Sequence, residues 1–272
     1  MIKLFNRIRM KTIAQNKLGR YIKYAIGEIL LVVIGILIAL QINTWNQNRV
    51  ERTQESQILK SLKKEYIDNL NQLNDKIFIR EKIIHSSNQL LDILDNNQNL
   101  QNYSVDSIET YIGTTTIFPT FNATSGVTND IINSGKLHLI KDNDLRISLS
   151  NWTSDIDQVT EMETVLLEYY FSTYQPFLVK NIQLRNSFNA MLSLTHLTEK
   201  FNLNKSIQNV ESVNRSNKIL EYKTIFNNED FEDYLVTILT YSRIANIQCE
   251  GLKLKINNNL SRIDKALNIS SE

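Results

Sequence analysis

The chain has 272 residues, with 30 Lys and Arg against 29 Asp and Glu, and only seven Gly and two Pro. So few Gly and Pro, with long stretches free of both, exclude a sandwich or barrel and predict long helices. The single Cys249 excludes an intramolecular disulfide, and the near-zero net charge hides a strong asymmetry between the ends.

Residues 1–23 carry Lys3, Arg7, Arg9, Lys11, Lys17, Arg20 and Lys23 and no acid. Met1, Leu4, Phe5 and Ile8 would share one face of a helix, which could lie on the inner leaflet. The plainer reading is a topology signal. No aromatic stacking pattern accompanies the bases, so nucleic acid is not an expected partner.

Residues 24–45 read as one transmembrane helix. Tyr24 to Ile42 holds twelve Ile, Leu and Val in nineteen residues. At about 1.5 Å per residue this reaches roughly 28 Å, close to a bilayer's hydrocarbon core. Twelve such side chains favour insertion by about 5 kcal/mol, against about 3 for an acid at mid-membrane. A soluble core helix rarely carries an uncharged run like Ile29 to Asn48. A cleavable signal would show a shorter apolar region and a small-x-small site, but Leu40-Gln41-Ile42-Asn43 follows. The reading is therefore an uncleaved signal anchor, with Lys23, Tyr24 and Trp45 as interfacial anchors. The remainder carries 23 bases against 29 acids, which predicts a cytoplasmic N-terminus and a periplasmic C-terminal domain at a bacterial inner membrane. The expected partners are the lipid bilayer and a membrane protein or second copy. Gly35 and Ala39 form a small-xxx-small pair that lets helices approach. Glu28 either snorkels toward Arg20 or Lys23, or contacts a partner helix.

Residues 46–272 predict a helical bundle, with a coiled-coil-like pairing of its first and last helices. Leu59, Leu62, Tyr66, Leu70, Leu73, Ile77, Ile84, Leu91 and Leu94 make one apolar stripe of a stalk helix continuing from the span. The polar run Asp95 to Asn99 ends it. Ser104 can cap a short helix. Residues 114–126 are irregular, with Phe118, Pro119 and Phe121 suited to a packed loop. Val127 to Ser134 makes two turns, Gly135 fits a left-handed cap, and residues 136–140 read as an extended turn. Asp142 or Asp144 caps a helix with a stripe through Leu145, Trp152 and Leu166, which should end before Pro176, and Pro176 suits the first turn of another helix through Leu178, Ile182, Phe188, Met191 and Leu192. Residues 198–224 are polar and Asn-rich. Asn228 caps a last helix striped by Phe231, Leu235, Ile238, Ala245, Cys249, Leu252, Ile256 and Ile263. An antiparallel pairing of the first and last long helices buries both stripes, and Cys249 falls among core positions.

Signatures of chemistry are weak. His85, His138 and His196 are far apart, and none sits in a zinc motif. Asp142-Asn143-Asp144 lacks the Gly and Glu of a calcium loop. Asp157 and Glu161, one turn apart on an acidic helix with Asp155, Glu163 and Glu168, could pair carboxylates, but read better as a solvated face. No cofactor, metal or catalytic residue is assigned. The candidate binding region is the irregular centre: Phe118, Phe121, Ser134, Gly135, His138, Arg146 and Trp152. The rival reading is that these residues plug one end of the bundle.

The string KYAIGEILLVVIGILIALQINTWN, Lys23 to Asn46, closely resembles the signature anchor of a family of uncharacterised single-pass membrane proteins of Bacteroidota-type bacteria, known as a domain of unknown function. SGKLHLIKDNDLRISLSNW, Ser134 to Trp152, is similar to its second motif, although family members often carry paired aromatics where this chain has Asn151-Trp152. The resemblance implies a membrane anchor and no catalytic residues. The function expected is an interaction or ligand-sensing module. The alternatives are a structural or assembly factor of the envelope, or an envelope enzyme using the acidic helix.

Overall fold

The computed structural model describes residues 18–96, 102–200, 212–217 and 222–269. The basic residues Lys3 to Lys17, the end of the Asp95–Asn99 run and most of the Asn-rich stretch after Phe201 lie outside them. Among the described residues all regular structure is helical. The chain forms two compact units, Met1–Gln57 and Ile58–Glu272. One helix, α1 (Leu18–Asp95), contributes to both.

In the first unit the apolar side chains from Ile26 to Ile42 are all exposed, and the most apolar eighteen-residue window has no buried residue. This helix is long and apolar enough to cross a membrane.

The second unit is a bundle. After α1 come α2 (Val105–Thr115), α3 (Gly126–Asn133), a 3-10 turn (Lys136–Leu139), α4 (Asn143–Ser150) and α5 (Trp152–Tyr169). A π turn (Tyr170–Tyr174) leads into α6 (Gln175–Asn181), then α7 (Leu184–Leu192), α8 (Thr195–Thr198), α9 (Lys223–Phe226) and α10 (Glu229–Ile269).

Local chemistry sets several boundaries. Ser104 accepts from Ser107 N at 3.1 Å, and Asp142 accepts from Leu145 N at 2.8 Å, so each caps its helix. Gly135 sits at φ 69°, where a side chain would be strained. Residues 136–139 form a 3-10 turn rather than an extended one. Helix α5 ends at Tyr169, before Pro176 as expected, and Pro176 lies in the first turn of α6 after a π turn. Pro176 has no N–H for the carbonyl four residues back, so the backbone widens. Gln175 N–H reaches the Tyr170 carbonyl, and the chain remains helical through the proline.

The long helices run antiparallel. Lys63, Tyr66 and Arg80 on α1 meet Asp264, Asn259 and Cys249 on α10, so rising numbers face falling ones. Helix α5 packs on α10 the same way, with Asp155 on Lys255 and Tyr169 beside Tyr234. Helix α2 crosses α7 so closely that a Cβ on Gly113 would collide with the Ser187 carbonyl. Each fully buried Leu, Ile or Phe contributes about 1.5–3 kcal/mol, so the stripes dominate stability.

The apolar core has two parts. One gathers Ile79, Ile83, Leu90 and Ile93 of α1 with Ile112, Leu166, Tyr174, Phe231 and Leu235. The other gathers Leu59, Leu62, Tyr66 and Leu73 with Phe121, Leu145, Trp152, Val159, Cys249 and Ile256. The seam between them is polar.

Candidate functional site

The irregular centre is held by side chains of α1. Glu65, Asn69 and Gln72 are spaced four and three apart, which puts them on one helix face. Gln72 takes the Asn122 N–H at 2.6 Å and gives an N–H to the Asn122 carbonyl at 2.9 Å. Asn69 grips both backbone groups of Thr124 at 2.7 Å. These amides do for the chain what a neighbouring strand would do. Glu65 accepts from Val127 N, Thr128 N and Thr128 Oγ1 at 2.6, 3.1 and 2.6 Å. Ser125 makes no capping bond to α3, so a carboxylate from another helix caps it and meets the positive end of its dipole.

The seam between the core parts holds a buried ion pair. Arg80 and Glu163 are each 1 % exposed and bonded to one another. Arg80 also donates to the Pro119 carbonyl at 3.2 Å and to Cys249 Sγ at 3.0 Å. The second Glu163 oxygen accepts from Phe121 N at 2.7 Å. Four segments therefore meet on one charge pair: α1, residues 119–121, α5 and α10. Burial pushes the Cys249 thiol up, while Arg80 pulls the other way. Glu163 is thus not part of a solvated acidic face; it is the one acid of that group drawn fully inside.

The residues expected to form a binding region are placed apart. Phe121 and Trp152 are buried in the same part of the core, where Trp152 meets Tyr66 edge to face at 4.9 Å. Phe118 packs against the other part, 4.2 Å from the Tyr170 ring. Ser134, Gly135 and His138 are exposed, with His138 Nδ1 at 2.8 Å from the Gly135 carbonyl. Arg146 donates to the Ile140 carbonyl at 2.7 Å and to Asn143 at 2.9 Å, fixing the 3-10 turn to α4. Asp157 and Glu161 are exposed on α5. Among the described residues no three His, Cys, Asp or Glu gather where they could hold a metal.

The anchor residues are exposed. Lys23, Tyr24, Glu28, Gly35, Ala39 and Trp45 all face outward, and nothing lies within 4 Å of a Cβ built on Gly35. The Arg49 guanidinium lies 5.8 Å from the Trp45 ring.

A second polar contact went unanticipated. Glu109 on α2 is 2 % exposed, and it accepts from the Tyr222 hydroxyl at 2.6 Å and from Arg215 at 2.7 Å. Burial, followed by the Glu109 hydrogen bond and charge, pushes the Tyr222 hydroxyl up. Asn189 holds Val213 by both backbone groups, repeating the device used by Asn69. A helical Asn or Gln at a half-buried position gives no periodic signal of such a grip.

Residues 28–158 match a family described as Family of unknown function (DUF6090). The matched stretch takes in the apolar part of α1, the clamped centre and the start of α5, and leaves out Glu163 and α10. No curated protein and no solved structure matches the chain.

Proposed function

We propose that this protein is a single-pass anchor at a bacterial inner membrane carrying a periplasmic helical module for protein interaction or ligand sensing. The observation that carries this reading is the first unit, where apolar side chains from Ile26 to Ile42 are all exposed. In water, such a surface is a large unfavourable area; in a bilayer it is the favourable one. The seven bases before the span support a cytoplasmic N-terminus. Continuity of α1 from the apolar segment into the bundle's core supports an anchor retained in the mature chain.

On this reading a membrane partner or a second copy meets the span itself. Glu28, Gly35 and Ala39 lie seven and four residues apart on one helix face, exposed and available for that contact. The clamped centre then serves to hold the module rigid.

Reporter fusions at the C-terminus test the topology. Alkaline phosphatase should be active there, and a reporter that works only in the cytosol should be silent. Activity of the cytosolic reporter, or solubility of the whole chain without detergent, would overturn the reading. Glu28→Gln with Gly35→Leu should change oligomer size or crosslinked membrane partners, and unchanged profiles would remove this face from the proposal.

A further inference from the structure

Residues 212–217 form an irregular strap held by α2 and α7. On α7, Asn189 takes the Val213 N–H at 3.1 Å and returns an N–H to the Val213 carbonyl, and Asn186 takes the Ser216 N–H at 2.9 Å. On α2, Asp106 and Glu109 share the Arg215 guanidinium, at 3.0 and 2.7 Å. Asn186 and Asn189 are three residues apart, as are Asp106 and Glu109, so each pair projects from one helix face. The strap is held as a bound peptide is held, by its main chain at two positions and by one arginine between them.

What the strap lacks is burial. Ser216 is half-buried, and the other five residues are exposed. The clamp on residues 122–124 differs, because Phe121 beside it is fixed in the core. Exposed hydrogen bonds and surface ion pairs contribute little against water, and ordering a segment costs entropy. Such a segment opens locally while the helices stay folded. Opening takes the guanidinium away from Glu109, a carboxylate only 2 % exposed, and a charge so enclosed favours a replacement. The strap also leaves its groove partly empty. A cleft of about 330 Å³ beside Arg215 continues along Thr110, Ala190 and Ser193.

We propose that the groove between α2 and α7 is a peptide-binding site, occupied here by the chain's own strap, and that an arginine-bearing segment of a partner protein takes the strap's place. The segment must offer one residue's N–H and carbonyl, an arginine two positions on, and the N–H of the residue after that. Proline is excluded at the first and last of these positions. Lysine is a poor substitute, because a single ammonium does not present the planar fork that spans two carboxylates. Val213 and Asn214 face solvent, so other side chains are admitted there. The proposal rests on the interaction reading above and names its site. It needs nothing from the anchor, because every residue named lies in the second unit.

The test is fluorescence anisotropy with the dye-labelled, amidated hexapeptide SVNRSN, residues 212–217, added to the full chain in phosphatidylcholine nanodiscs, with empty nanodiscs as the blank. Arg215→Ala in the chain loosens its own strap, so the peptide should bind that variant roughly tenfold or more tightly than it binds the parent chain. Arg215→Ala or Arg215→Lys in the peptide should weaken binding by roughly the same factor. Adding Asp106→Ala to the chain should weaken it too, with an unchanged melting midpoint, since that carboxylate is exposed. In the parent chain the Val213 amide should exchange hydrogen faster than the amides of α7. No binding to the Arg215→Ala chain, equal binding of the alanine or lysine peptide, or Val213 exchange as slow as that of α7 would overturn the assignment. None of these results moves the C-terminal reporters, so the site and the topology fail separately.

Discussion

Two stretches of α1 invert one another. From Ile26 to Ile42 the apolar side chains are exposed. From Leu59 to Ile93 the apolar side chains except Ile67 are buried or half-buried, and Glu65, Asn69 and Arg80 are buried with them, at 4, 0 and 1 % exposure. The first stretch has an apolar surface with no buried side chain, which on the proposed reading lipid would cover. The second has polar groups that are tolerable only because each has found a protein partner. Surroundings make the difference.

The contrast can be broken most severely at Arg80. Arg80→Leu leaves Glu163 buried and uncompensated, and should destabilise the bundle by about 3–5 kcal/mol in urea unfolding. Adding Glu163→Leu should recover part of the loss. Recovery should be incomplete, because the Pro119 carbonyl and Phe121 N–H lose their partners as well. Full recovery would mean that the charge pair does not hold the centre in place.

In the first stretch a charge should act on location instead of folding. Val33→Lys should oppose insertion by roughly 2.5–3.5 kcal/mol, read as a lower membrane-bound fraction. Hydrogen exchange in residues 58–95 should not change. Faster exchange there would show that the two stretches are not independent. A smaller effect is expected at Asn69. Asn69→Leu removes both bonds to Thr124 and should cost about 1–3 kcal/mol. Exchange should accelerate first at the Thr124 amide, ahead of the helices.

The smallest effect is electrostatic. Burial raises the Asp142 carboxyl, but bonds from Leu145 N–H and Arg262 outweigh it and hold the carboxyl below its usual range. A depressed carboxylate contributes stability above its unfolded pKa, and that stability disappears as pH falls through the folded one. Asp142→Asn keeps a capping oxygen and loses the charge. It should lower the melting midpoint slightly at neutral pH, with the difference from the parent chain vanishing as pH falls, so that the midpoint's dependence on acid pH flattens.

What was legible in the sequence was the periodic and the local. The stripes through Leu59–Leu94, Leu145–Leu166 and Phe231–Ile263 mark helix faces, because burial selects apolar residues at the helical period. Ser104, Asp142 and Gly135 act within three residues of themselves, so their roles show in short strings. The Arg80–Glu163 pair spans 83 positions, and no local rule joins them. Glu163 sits among exposed acids, which made a solvated face the natural reading. Trp152 and Phe121 were read as possible contacts for a ligand because aromatic residues serve both roles, and only packing separates the two. Pro176 was expected to follow a helix end and open the next helix, and it does; the five-residue π turn between the two carries no local mark in the sequence.

The grips exerted by Asn69 and Gln72 touch only main-chain atoms of Thr124 and Asn122, whose own side chains point to solvent. The stretch is thus held by its peptide groups and is indifferent to what those two residues are. Evolution or a designer can vary positions 122 and 124 widely, with one prohibition. Proline at either has no N–H to offer, so it would unfasten the segment where almost any other replacement would pass unnoticed.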